Sequence, residues 1–264
     1  MSVLKITLIQ ADLFWEEKEK NLAMFSGKIS SIREETDLII LPEMFSTGFT
    51  MNAVKLAETM DGATVKWMKE IANSKKCVIT GSLIIKEGDT YFNRLIWVTS
   101  ENIEYYDKRH LFSYAGEDKT YGKGENKIIV TLKGWRILPL ICYDLRFPVW
   151  SRRNKKEDYD LLIYVANWPE RRVHAWKQLL IARAIENQCY VAGVNRIGND
   201  GNEIFHSGES GIIDFKGENI FNGNTNEAFI FTQTISKEPL TNFRKQFAFF
   251  QDGDEFEIFN YLFS

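Results

Sequence analysis

The chain has 264 residues, with 33 Lys and Arg against 36 Asp and Glu for a formal net charge of −3, and 44% of its residues are hydrophobic. A chain this apolar and this weakly charged buries enough surface to fold, so it is neither an acidic disordered tail nor a basic nucleic-acid arm. Only 5 prolines and 17 glycines are present, no Pro/Gly linker divides the chain, and single α/β domains reach about 250 residues, so one domain is expected.

Val3, Ile6, Leu8 and Ile9 predict a first strand, and Leu22, Phe25, Ile29 and Ile32 then recur every three or four residues, the period of an amphipathic helix. Residues 37–41, stopped by Pro42, form a continuous apolar run that fits a strand buried on both faces. A helix is predicted at 64–74. Strands follow at 77–85, at 91–99 after a Gly88-Asp89 turn, and at 103–106, reading as antiparallel neighbours. The pattern then repeats in coarse form. Strands at 127–132 and 136–141 lead to a short helix starting near Arg146, an apolar strand at 159–165 and a long helix at 171–187 with Trp176, Leu180 and Ala184 among its apolar residues. Strands resume at 189–194, 209–214 and 228–234, and the tail, 243–263, is rich in Phe. Helices mixed with parallel-style and hairpin strands predict a layered α/β sandwich.

Cys77, Cys142 and Cys189 are too few and too scattered for a disulfide framework, and an odd count suits a reducing compartment. Residues 1–10 lack the long apolar core of a signal peptide, and no stretch approaches the roughly 18 apolar residues of a membrane span. A soluble, cytoplasmic protein with no membrane partner is expected. His110, His174 and His206 have no ligand spacing and no glycine-rich phosphate loop follows a strand, so neither metal nor cofactor is implied. The short basic run at 152–156 reads as a solvated face, and no nucleic-acid partner is expected.

Cys142 ends the run Ile137-Leu138-Pro139-Leu140-Ile141 and precedes Tyr143-Asp144-Leu145-Arg146-Phe147-Pro148. A strand that stops at a Cys with a helix opening behind it holds the thiol on a sharp turn and aims N–H groups at it. Such a setting is expected to lower its pKa below the unperturbed value of about 8.5. A buried inert thiol is the alternative, and it is the reading adopted for Cys77 and Cys189. A thiolate attacking an amide needs a proton acceptor, and the developing oxyanion needs donors. Glu43, just past Leu41-Pro42 at the end of a buried strand, offers the acceptor, with a pKa expected to rise through partial desolvation. Lys108, just past the strand at 103–106, offers a cation, and the backbone N–H of Tyr143 a second donor. An ordinary loop carboxylate and a solvated basic turn are the plain alternatives for Glu43 and Lys108. A Cys–His pair of Cys142 with one of the three histidines also stays open.

The blocks Pro42-Glu43, Lys108-Arg109-His110-Leu111-Phe112 and Ile141-Cys142-Tyr143-Asp144-Leu145-Arg146-Phe147-Pro148 stand in an order that resembles the nitrilase superfamily of carbon–nitrogen hydrolases. Ala166-Asn167-Trp168-Pro169, the stretches 182–188 and 194–198, Asp200-Gly201, and Gly208-Glu209-Ser210 extend the likeness over nearly the whole chain. Chain length and the blocks at 108–112 and 167–169 most resemble the ω-amidase branch, whose members deamidate 2-oxoglutaramate and 2-oxosuccinamate. The resemblance implies a four-layer αββα sandwich over residues 1–264, a homodimer of αββα–αββα form, and a catalytic triad of Glu43, Lys108 and Cys142. It also implies a second glutamate, matched here by Glu117 beside Asp118, no cofactor, and a small-molecule amide as partner.

A keto-acid amide needs a cation for its distal carboxylate, and Arg matches a carboxylate bidentately. Arg146, Arg171 and Arg172 lie near these blocks, each with a plain surface charge as the alternative, while Tyr114 and Trp168 are candidates to wall a small pocket. The segment at about 240–264 is expected to contact a second copy, with a tail folded back on its own core as the alternative. A carbamoylase or nitrilase with the same triad, and a non-catalytic dimeric protein on the same fold, are the competing functions.

Overall fold

The computed structural model describes residues 2–258. The first half runs β1 (Val3–Gln10), α1 (Lys18–Ser30), β2 (Leu38–Ile40), α2 (Ala53–Leu56), α3 (Ala63–Lys75), β3 (Val78–Glu87), β4 (Thr90–Val98) and β5 (Ile103–Asp107). After the single turn α4 (Glu117–Thr120) come β6 (Val130–Leu132), β7 (Trp135–Ile141), α5 (Pro148–Ser151), β8 (Leu161–Ala166), α6 (Val173–Asn187) and β9 (Tyr190–Asn195). A hairpin of β10 (Ile197–Asn199) and β11 (Phe205–Ser207) precedes β12 (Gly211–Ile213), β13 (Asn219–Asn222), β14 (Phe229–Ser236) and α7 (Lys237–Gln246).

Two six-stranded sheets result, ordered β14-β1-β2-β3-β4-β5 and β13-β12-β9-β8-β7-β6. Each has a parallel trio at its heart, β1-β2-β3 in one and β7-β8-β9 in the other, flanked by antiparallel strands. The coarse repeat in the sequence is thus a repeat of architecture. The two-residue period of a strand decides the layering. Leu8, Leu38, Ile40 and Trp97 join a core shared with Ile137, Leu140 and Val165 of the second sheet, while Ile9, Ile39, Leu41 and Ile96 face Phe25, Ile29, Val65 and Met68 of α1 and α3. On the far side of the second sheet, Trp176, Leu180 and Ala184 of α6 complete the four-layer αββα sandwich.

One expected element changes in kind, and several short elements were not expected. The helix expected from Arg146 is a 3₁₀ turn, Cys142–Arg146, followed by the one-turn α5 starting at Pro148. The hairpin β10–β11 and strand β13 were not expected, since three or four residues carry too little periodicity to announce a strand. Helix α7 was not expected either, because Leu240 is its only buried residue. The Phe-rich tail makes contacts with its own chain as far as Phe250. Phe243 packs on Phe215 with ring centroids 5.0 Å apart, Gln188 Nε2 donates to the carbonyl of Phe247 at 2.7 Å, and Arg153 lies 4.0 Å over the Phe250 ring. Phe247, Phe256 and Ile258 stay exposed, and Phe259, Tyr261, Leu262 and Phe263 lie outside the described residues. Among the described residues no helix is long and apolar enough to cross a membrane.

Candidate active site

The two sheets meet face to face so that strand ends from both deliver polar residues to one place, as open α/β sheets do at the carboxyl ends of their strands. From the first sheet, β2 runs into Leu41-Pro42-Glu43 and β5 into Lys108; from the second, β7 runs into Cys142 and β8 into Asn167. Glu43, Lys108 and Glu117 have no exposed surface. Lys108 Nζ donates to Glu43 Oε1 at 2.8 Å and to Glu117 Oε1 and Oε2 at 3.0 and 2.9 Å. Cys142 has φ of +45°, a left-handed conformation unusual for a side-chain-bearing residue, and it turns the thiol out of the strand toward Glu43 and the backbone N–H of Asn167.

The charges explain which protons sit where. Burial alone lowers the Lys108 ammonium, but the Glu117 and Glu43 carboxylates outweigh it, so Lys108 titrates above the ordinary lysine value. Burial pushes the Glu117 carboxyl up, helped by Glu43 and opposed by Lys108, and the net direction is upward. The Cys142 thiol is held well above its usual value, first by burial and then by Glu43, against the pull of Lys108. This reverses the expectation of a lowered thiol pKa. The turn behind Cys142 is a five-residue 3₁₀ segment with little dipole to offer, and the nearest partner is an anion. Burial and the neighbouring carboxylate therefore favour the protonated thiol at Cys142.

Above these groups opens a cavity of about 590 Å³ lined by Cys142, Glu43 and Lys108 at its floor. Tyr143, Arg146, Trp168, Tyr114 and Arg172, the residues expected to bind substrate, all line it, as does Arg171. Glu117 is not among the lining residues; it holds Lys108 from behind. Arg172 lies 5.0 Å over the Phe112 ring and Arg146 4.8 Å over that of Trp168, whose indole N–H donates to the Arg172 carbonyl at 2.8 Å. Tyr114 stands 78% exposed at the rim, whereas Trp168 is a buried wall.

The family described as carbon–nitrogen hydrolase matches residues 5–245. The chain belongs to this family. It is 44% identical over 259 residues to the omega-amidase YafV of Escherichia coli, covering 98% of this chain and all of the relative. It is 30% identical to the 2-oxoglutaramate amidase of Bacillus subtilis, covering 94% of this chain and 96% of that one. A solved CN-hydrolase superfamily protein, XC1258 from Xanthomonas campestris, described with an arsenic adduct in its active site, superposes with a TM-score of 0.95 at 42% identity over 98% of this chain and all of that one. Nit3 of Saccharomyces cerevisiae, a member of the nitrilase superfamily, shares the fold with a TM-score of 0.82 at 22% identity over 93% and 94% of the two chains.

Several residues that the sequence did not single out build the hydrolase's site. Asn93 of β4 donates through Nδ2 to Glu43 at 2.9 Å and to Glu117 at 3.0 Å, and its carbonyl accepts from the Lys108 N–H. Asn167 donates its backbone N–H to Glu43 Oε2 at 2.8 Å and its side chain to the Glu43 carbonyl, joining the ends of β8 and β2 across the two sheets. Asp144, fully buried, accepts from Ile141 N–H, from the Tyr106 hydroxyl at 2.7 Å and from His110 N–H, pinning the Cys142 turn to the loop that carries Lys108. The only hint of Asn93 was a polar Asn93-Arg94 pair inside an apolar strand. Two of the histidines have partners of their own, and His174 is exposed on α6 and does not line the cavity. The His110 ring bonds Asp144 and stacks on Phe147, while His206, a cavity wall, contacts the Gly198 carbonyl and is pushed down to about 4 by burial and by Arg196. Among the described residues no group of three His, Cys, Asp or Glu is placed to hold a metal.

Proposed function

We propose that this carbon–nitrogen hydrolase, which acts on amides, is an ω-amidase: it converts a small 2-oxo acid monoamide such as 2-oxoglutaramate or 2-oxosuccinamate to the acid and ammonia through a thioester on Cys142. The observation that carries the reading is one cavity with a thiol, a carboxylate and an ammonium on its floor and arginines at its mouth. The near full-length likeness to proteins named omega-amidase supports the substrate class.

Glu43 accepts the Cys142 proton and the thiolate attacks the amide carbon. The three carboxylate contacts of Lys108 Nζ then matter, because protonating Glu43 weakens one of them and frees an N–H for the oxyanion. The N–H of Tyr143, second residue of the 3₁₀ turn and without an acceptor inside it, is the other donor. Glu43 returns the proton to the leaving ammonia, then activates the water that hydrolyses the thioester. General acid–base help of this kind is worth about 10² to 10⁴ in rate.

The test is a substrate panel on purified protein scored by ammonia release. 2-Oxoglutaramate is expected to be turned over far faster than glutamine or a nitrile, and a nitrile in first place would overturn the reading. The same reading includes a homodimer, supported by the exposed Phe247, Phe256 and Ile258, and a monomer in light scattering at micromolar concentration would remove it.

A further inference from the structure

Arg146, Arg171 and Arg172 face the same cavity as Cys142, and among the described residues none of the three is bonded to a carboxylate. The acids nearby are committed. Glu16 accepts from Thr50 Oγ1 at 2.6 Å and Asn52 Nδ2 at 3.1 Å, and Asp200 accepts the N–H groups of Asn202 and Ile204 at 2.8 and 2.9 Å. Arg171 is exposed, whereas Arg172 and Arg146 are half-buried, each over an aromatic face. Stacking fixes the plane of a guanidinium without using its N–H groups, so the donor edges stay available. The two platforms are themselves anchored: Trp168 bonds the Arg172 carbonyl, and the Phe112 N–H donates to Glu117 at 2.6 Å, on the carboxylate that holds Lys108. Burial, and then Arg171 and Arg146, push Arg172 below the ordinary arginine value, so an anion seated between the guanidinium groups relieves a repulsion.

We propose that Arg172 and Arg146, carried on Phe112 and Trp168, form a two-guanidinium clamp that grips the carboxylate at the far end of the amide and selects anionic over neutral amides. The proposal rests on the ω-amidase reading and names the residues that enforce its selectivity. Because Phe112 links the Arg172 platform to the Glu117–Lys108 pair, gripping the carboxylate also sets the distance at which the amide meets Cys142.

The test compares glutaric acid monoamide with pentanamide, which has a methyl in place of the carboxylate, by kcat/KM from ammonia release. Wild type favours the anionic amide, and Arg172→Met and Arg146→Met each lower that preference roughly ten- to hundredfold, chiefly through KM. Arg172→Lys keeps the charge and recovers only part, since an ammonium does not match a carboxylate bidentately; it also serves where the methionine variant does not fold. Separately, calorimetric binding of glutarate to Cys142→Ala protein weakens to the same extent when Arg172→Met or Arg146→Met is added. A preference and a glutarate affinity unmoved in both methionine variants overturn the clamp, as does a wild type that favours pentanamide. If 2-oxoglutaramate goes uncleaved while glutarate binding still depends on both arginines, the ω-amidase reading fails and the clamp stands.

Discussion

At the floor of the cavity, Lys108 has three carboxylate oxygens within 3.0 Å and neither it nor Glu43 nor Glu117 reaches solvent, whereas at the mouth three arginines have no carboxylate among the described residues and Tyr114 is 78% exposed. Both regions are rich in charge, and burial separates them. A charge out of water must be paired and hydrogen-bonded, so the floor residues fix one another's identity and protonation. Charges at the mouth are solvated until a ligand arrives, so their identity follows the ligand. Changes at the floor should therefore cost both chemistry and stability, and changes at the mouth should alter selectivity.

The sharpest test of this contrast is Cys142→Ala, which is expected to abolish turnover and the thioester together; intact-mass detection of an acyl adduct in wild type and none in the variant checks it. Retained amidase activity would remove Cys142 as nucleophile. Lys108→Met comes next. It takes away an oxyanion donor, worth about 10² to 10³ in kcat, and leaves Glu43 and Glu117 buried without their cation, at a cost of about 3 to 5 kcal/mol in chemical unfolding. A Cys–His enzyme would keep most of its rate in this variant.

His206 is a buried wall of the same cavity. Its pKa is about 4 when folded against 6.5 ordinarily, so between these values the unfolded chain binds the proton first and stability falls as pH drops from 6.5 through 4. The loss is expected to reach about 3 kcal/mol in pH-dependent urea unfolding and to shrink in His206→Gln. The smallest effect belongs to Tyr114→Ala at the rim, expected to stay within about 0.5 kcal/mol in stability. A loss of several kcal/mol there would break the distinction between floor and mouth.

The sequence made Cys142, Glu43 and Lys108 legible because each follows an apolar strand and carries a side chain that amide chemistry requires. Glu117 was matched only through the resemblance, with Asp118 adjacent to it; in the fold it is Glu117 whose carboxylate bonds Lys108. Asn93 was invisible because one amide in a strand has no period, and its partners lie 50 and 24 residues away. The direction of the thiol pKa was missed for a related reason. Local sequence shows the turn after Cys142, but only the assembled site brings the Glu43 carboxylate against it. The layered fold was readable from strand periodicity, and the short strands β10, β11 and β13 were not.

The bonds from Asn167 to Glu43 join the end of β8 to the end of β2, 124 residues apart in the chain. They have a temporal meaning. During synthesis the Glu43, Lys108 and Glu117 positions emerge before Cys142, and Asn167 emerges last of all. A nascent chain can therefore lay down β1 to β5 before Cys142 emerges, but β14, which pairs with β1, is made only after the strands of the second sheet, so the two sheets are completed together. The two ends of the contact that joins the sheets are thus synthesised far apart in time.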